Sequence, residues 1–120
     1  MTLAEFRRQI AEAIACRFPQ AKSDFTAQRG IKIRGRVEID ASALIDVYFN
    51  AATGKTTYAL VKMGKHILGY DNFRGWHRHP AENPDQHVAC QEPAPDQVLR
   101  EMKPPRAHIA HTLSLSSSTT

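Results

Sequence analysis

Ile31-Lys32-Ile33-Arg34-Gly35-Arg36-Val37-Glu38-Ile39 is the stretch on which the fold turns. Ile31, Ile33, Val37 and Ile39 fall on alternate positions, and Lys32, Arg34, Arg36 and Glu38 stand between them. A period of two puts the apolar set on one side of an extended strand and the charges on the other, so the strand belongs to a sheet with one dry and one wet face. Gly35 interrupts the apolar set and marks a bulge or a bend. Lys32, Arg34 and Arg36 then form a short cationic row on the wet side, either a solvated strand surface or a binding face.

Downstream, Leu44 to Phe49 is a second strand, followed by a turn over Ala51 to Lys55 in which Gly54 supplies positive φ. Thr56 to Met63, rich in β-branched and aromatic residues, is a third. Gly64-Lys65 makes a tight hairpin turn and His66 to Tyr70 returns. The expectation is an antiparallel meander of about four strands, sequential strands being neighbours. Asp71 to Pro95, with most of the prolines, has no regular pattern.

Upstream, Thr2 and Glu5 form the T-x-x-E capping box of a helix start. Leu3, Phe6, Ile10, Ala13 and Ile14 recur at helical spacing, and Pro19 closes the segment. Cys16, near the helix end, reads as a small apolar residue. A single apolar stripe packs this helix on the sheet. Near the other end, Asp96 caps a short helix with Val98, Leu99 and Met102 on one side, ended by Pro104-Pro105. The fold class is α+β: one domain over residues 1–103, then a flexible, disordered Ser/Thr-rich tail over 104–120.

The chain has 120 residues, 16 Lys and Arg against 12 Asp and Glu, a formal net charge of +4 and 42% hydrophobic residues. That composition suits a small globular domain and excludes a disordered chain. The excess of positive charge favours a phosphate-rich partner. Cys16 and Cys90 share no zinc-type spacing, and Glu5, Arg7 and Arg8 interrupt any apolar run in the first residues. The expected setting is therefore the reducing cytoplasm, without membrane attachment.

Chemistry concentrates in Gly69-Tyr70-Asp71-Asn72-Phe73-Arg74-Gly75-Trp76-His77-Arg78-His79-Pro80. Cleaving RNA through its 2′-hydroxyl needs a base, an acid and cations for the developing charge. Histidine is the residue type that exchanges a proton most readily near neutral pH, so the pair His77 and His79 suits the first two roles; Tyr70 and Asp71 can tune or relay a proton. Arg78 and Arg74 offer planar forks to phosphate, and Trp76 a surface for a base. Lys32, Arg34 and Arg36 supply further backbone contacts. This scheme needs no cofactor and no metal. The same residues have plainer readings: Asp71 and Asn72 closing an Asx turn, Trp76 packing, the arginines solvated. His77 and His79, with His87 or Cys90, also allow a small His-ligated metalloprotein. A non-catalytic module binding nucleic acid or protein is the remaining alternative.

Gly69-Tyr70-Asp71-Asn72, then Gly75, His77-Arg78-His79, His87-Val88 and Glu92-Pro93, resemble the signature of the TumE family of toxins over about Ile31 to Lys103. The N-terminal helix and the Ser/Thr tail depart from that pattern. The resemblance implies the growth-inhibiting toxin of a type II-like toxin–antitoxin pair, partnered by a helix-turn-helix antitoxin; RNA or the ribosome as its target is the expectation from the basic charge and the loop residues. The RNA-cleavage scheme comes from the loop residues and not from the resemblance.

Overall fold

The computed structural model describes residues 1–103; the expected tail over 104–120 lies outside the described residues. The chain is α+β, with helix α1 (Leu3–Arg17), strands β1 (Lys22–Gln28), β2 (Lys32–Glu38), β3 (Ala43–Asn50), β4 (Thr56–Lys62), β5 (Lys65–Asp71), β6 (His77–His79) and β7 (Val88–Ala89), and helix α2 (Pro95–Met102). All seven strands form one antiparallel sheet in sequence order.

The meander thus has seven strands, three more than the alternation reveals. β1 was hidden because it lies at the edge: Phe25 is its one large apolar residue, and the other six positions are exposed. With neither face buried, nothing selects for alternation. β6 and β7 fall in the Asp71–Pro95 stretch expected to be irregular. They are three and two residues long, too short to show a period.

α1 begins at the capping box: Thr2 accepts from the Glu5 amide at 3.1 Å, and the Glu5 carboxylate accepts from the Thr2 amide at 3.4 Å. Its buried stripe, Phe6, Ile10, Ala13 and Ile14, rests on β2 and β3. α2 packs beside α1 and buries Val98, Leu99 and Met102. Asp96 is not its cap. Ala94 holds that position, and Pro95 starts the helix with the φ a first turn needs. Asp96 instead receives Arg17 in a two-pronged ion pair at 2.9 and 2.8 Å, which ties the end of α1 to the start of α2. Cys16 is exposed rather than packed.

Both helices cover one face of the sheet. On that face a lateral row runs through directly paired residues Phe25, Gly35, Val47, Tyr58, Tyr70, Arg78 and Val88. Gly35 is not a bulge: it keeps regular pairing with both neighbours, and Phe25 lies across the space where its Cβ would stand. The irregularity sits between Leu60 and Val61, where the β4–β5 register shifts. The β4–β5 turn is Met63-Gly64, both at positive φ (53° and 79°), the twist a two-residue hairpin requires. No helix among the described residues is long and apolar enough to cross a membrane.

Candidate nucleic-acid interface

The Tyr70-Asp71-Asn72 run leaves β5 with its three side chains sent to three different places. Successive strand residues alternate between faces, so Tyr70 and Asp71 cannot share one. Tyr70 lies on the helix side, where its hydroxyl donates to Glu101 of α2. Arg78, paired with Tyr70 across the strands, reaches the same carboxylate, its Nε at 2.9 Å. Burial, then the Glu101 carboxylate, push the Tyr70 hydroxyl up to about 12, so it remains a donor at neutral pH. Asn72 braces the preceding turn: its side-chain oxygen accepts from the Thr56 amide and its nitrogen donates to the Gly54 carbonyl, both at 2.8 Å.

Asp71 and the two histidines occupy the opposite, open face. Asp71 pairs across the strands with His77, and Gly69 with His79. The Asp71 carboxylate accepts from the His79 ring at 2.7 Å and from the Phe73 amide at 3.1 Å, the latter an Asx turn. Burial opposes ionisation of Asp71, but the His79 and Phe73 hydrogen bonds outweigh it and hold the carboxyl below its ordinary value. The other ring nitrogen of His79 meets the Pro84 carbonyl at 3.1 Å. His77 is tethered at Nδ1 to the Gly75 carbonyl at 2.8 Å, which sets its tautomer and turns Nε2 into the acceptor. His87 packs edge-on against His79 and His77, with ring centres 4.3 and 6.0 Å away.

A common mouth holding Tyr70, Asp71, His77 and His79 is therefore not what the sheet forms. Tyr70 and Arg78 are bound to Glu101 under the helices; Asp71, His77 and His79 face the other way. Pairing forces the split, because the strand that carries Y-D-N also carries the alternation. Trp76 is also on the helix side, half-buried, its ring 6.5 Å from that of Tyr58. Arg74, at φ 56° in the β5–β6 turn, lies over Phe73 at 5.1 Å. For a metal, no group of three or more His, Cys, Asp or Glu among the described residues is arranged to hold one; His77, His79, His87 and Cys90 do not converge that way.

The open face forms a trough of about 1190 Å³. Its floor is cut by small residues, Thr57, Ala59 and Gly69, between larger walls on β2–β3 and at His79. A lateral row runs along it through directly paired residues: Thr26, Arg34, Tyr48, Thr57, Asp71 and His77. The basic row of β2 lies on this face, but its members differ. Arg36 is paired with Asp46 at 3.2 Å. Arg34 and Lys32 have no carboxylate partner among the described residues. Arg34 sits 5.1 Å from the centre of the Tyr48 ring, and Lys55 5.9 Å from it. Tyr48 and Lys55 were missed in the sequence. Their signal was an aromatic on the wet side of β3, between Asp46 and Asn50, beside a turn lysine.

No protein-family model, no curated protein and no solved structure matches this chain.

Proposed function

We propose that this chain is the growth-inhibiting toxin of a cytoplasmic toxin–antitoxin pair and that it stops translation by binding RNA on the open face of its sheet. The observation carrying the proposal is the lateral row Arg34, Tyr48, Thr57, Asp71 and His77 on the open face, of which Arg34, Tyr48, Thr57 and Asp71 line one trough. Antiparallel sheets with one face covered by helices turn the other toward solvent, where a ligand can reach it. Asp24, Glu38, Asp46 and Asp71 balance the charge over most of the trough, but its Tyr48 end, with Arg34 and Lys55 at the ring, suits a phosphate backbone carrying unstacked bases. The likeness of Y-D-N and H-R-H to TumE toxins supplies the biological setting: a neighbouring helix-turn-helix antitoxin that relieves the arrest.

Binding is favoured over a Tyr–His cleavage scheme because His79 has both ring nitrogens on acceptor oxygens and Tyr70 is held by Glu101. Cleavage centred on His77 is the second reading. It rests on an Nε2 that makes no hydrogen bond among the described residues and stands across from Asp71.

Induced expression with and without the adjacent gene tests the class, and a cell-free translation reaction containing chelator tests the mode. The proposal expects arrest relieved by the neighbour, and translation blocked with RNA intact. Shortened RNA that His77→Ala restores to full length selects the second reading. Normal growth and unimpaired translation reject both.

A further inference from the structure

Of the cations on the open face without an ion pair among the described residues, three gather at one place, and Lys22 lies apart from them. Arg36 is spent on Asp46, and Lys22 stands across the β1–β2 pair from Glu38. Arg34 and Lys55 instead lie over the Tyr48 ring, 5.1 and 5.9 Å from its centre, and Lys32 sits opposite Asn50 on the same end of the sheet. The ring is half-buried, and its hydroxyl accepts from Asn50 at 3.4 Å. A ring held at its rim, with two cations over it, offers a stacking face to a base when the phosphates of the same strand draw those cations off the ring.

We infer that Tyr48, Arg34 and Lys55 form a nucleotide subsite that admits single-stranded RNA and rejects duplex, the base stacking on Tyr48 and the flanking phosphates meeting Arg34 and Lys55. This rests on the RNA-binding reading above and gives it a substrate class. The exclusion of duplex follows from the geometry. Tyr48 lines the trough from its β3 wall, and stacking on its ring needs a base whose face is free, which an unpaired base offers, whereas A-form RNA keeps its bases stacked inside. The same geometry predicts a length. Tyr48 on β3 and His77 on β6 share one lateral row with two strands between them. At the usual strand spacing they are roughly 14 Å apart. An oligonucleotide spans that distance and a mononucleotide does not.

The experiment is fluorescence anisotropy of a labelled ten-nucleotide single-stranded RNA with the full chain, competed by unlabelled single strand, by the corresponding duplex and by a mononucleotide. Tyr48→Phe keeps the ring and is expected to bind within about twofold of the parent. Tyr48→Ala is expected to weaken binding about ten- to a hundredfold, the usual loss for one stacked base. Arg34→Lys keeps the charge without the planar fork and is expected to fall between the two. Circular dichroism and melting of each variant separate lost binding from lost folding. Duplex competing as well as single strand, or Tyr48→Ala binding like Tyr48→Phe, overturns the subsite while RNA binding stands. A folded parent that binds neither form overturns the RNA reading itself, and the subsite with it.

Discussion

Asp71 and His79 hold each other at 2.7 Å across the β5–β6 pair, and the sign of their pH response follows from the carboxyl group. Folding lowers the Asp71 pKa, so its contribution to stability is complete at neutral pH and is lost as pH falls through the lowered folded value, below the ordinary 3.8. Asp71→Asn is therefore expected to melt at a lower temperature at neutral pH, and to lose less of its melting temperature than the parent in the acid range. Thermal melts at stepped pH check this, and parallel curves for the two proteins speak against it. Asp96 and Glu101 are also held low by their arginines, so the variant keeps part of the acid slope. Tyr70 makes the complementary case. Its hydroxyl is bound to Glu101 beneath the helices, so Tyr70→Phe is expected to cost about 1 kcal/mol in stability and leave RNA affinity unchanged. Denaturant titration beside an RNA-binding measurement tests both halves. The residues of this region were visible in the sequence as a crowd of polar groups. Their division between two faces was not, because it depends on where β5 ends and β6 begins, and a three-residue strand shows no period of its own.

At the scale of elements, long apolar patterns were readable and edge elements were not. The α1 stripe and its capping box, the alternation of β2 and the apolar side of α2 each reflect a buried face, which constrains which residues can stand there. β1 buries almost nothing, so its residues are free to be polar, and only Phe25 records its contact. That contact explains Gly35. A glycine mid-strand reads as a bulge from sequence, but here it is the absence of a side chain that lets the Phe25 ring cross the strand, an arrangement that shields an otherwise bare glycine. Gly35→Ala is expected to destabilise by about 1–3 kcal/mol through overpacking. Phe25→Ala in the same chain should then cost less than it does alone, a coupling that a double-mutant cycle on chemical denaturation reads directly. Additive effects would mean that the ring and the glycine are independent. Arg17 and Asp96 illustrate another limit: a pair 79 residues apart in sequence joins the two helices, and nothing local announces it.

For the whole molecule, the governing feature is a seven-stranded sheet with one face closed by α1 and α2 and the other left open among the described residues. The net charge of +4 does not by itself create a basic surface, because Arg8, Arg17, Arg36 and Arg78 are each paired with a carboxylate. What is left for a phosphate backbone at the Tyr48 end of the open face is Lys32, Arg34 and Lys55, with Lys22 apart from them on β1. Three such contacts predict a modest salt dependence, with a log–log slope of binding against salt of roughly −2 for a single strand. Affinity independent of salt would remove the phosphate contacts from the account. The most direct test of the claim that RNA lies on the open face is a backbone amide NMR titration of the chain with single-stranded RNA. The account predicts shifts concentrated at Arg34, Tyr48, Lys55, Thr57, Asp71 and His77, with α1 and α2 silent. Shifts concentrated along the helices, with the open-face row unmoved, would contradict it.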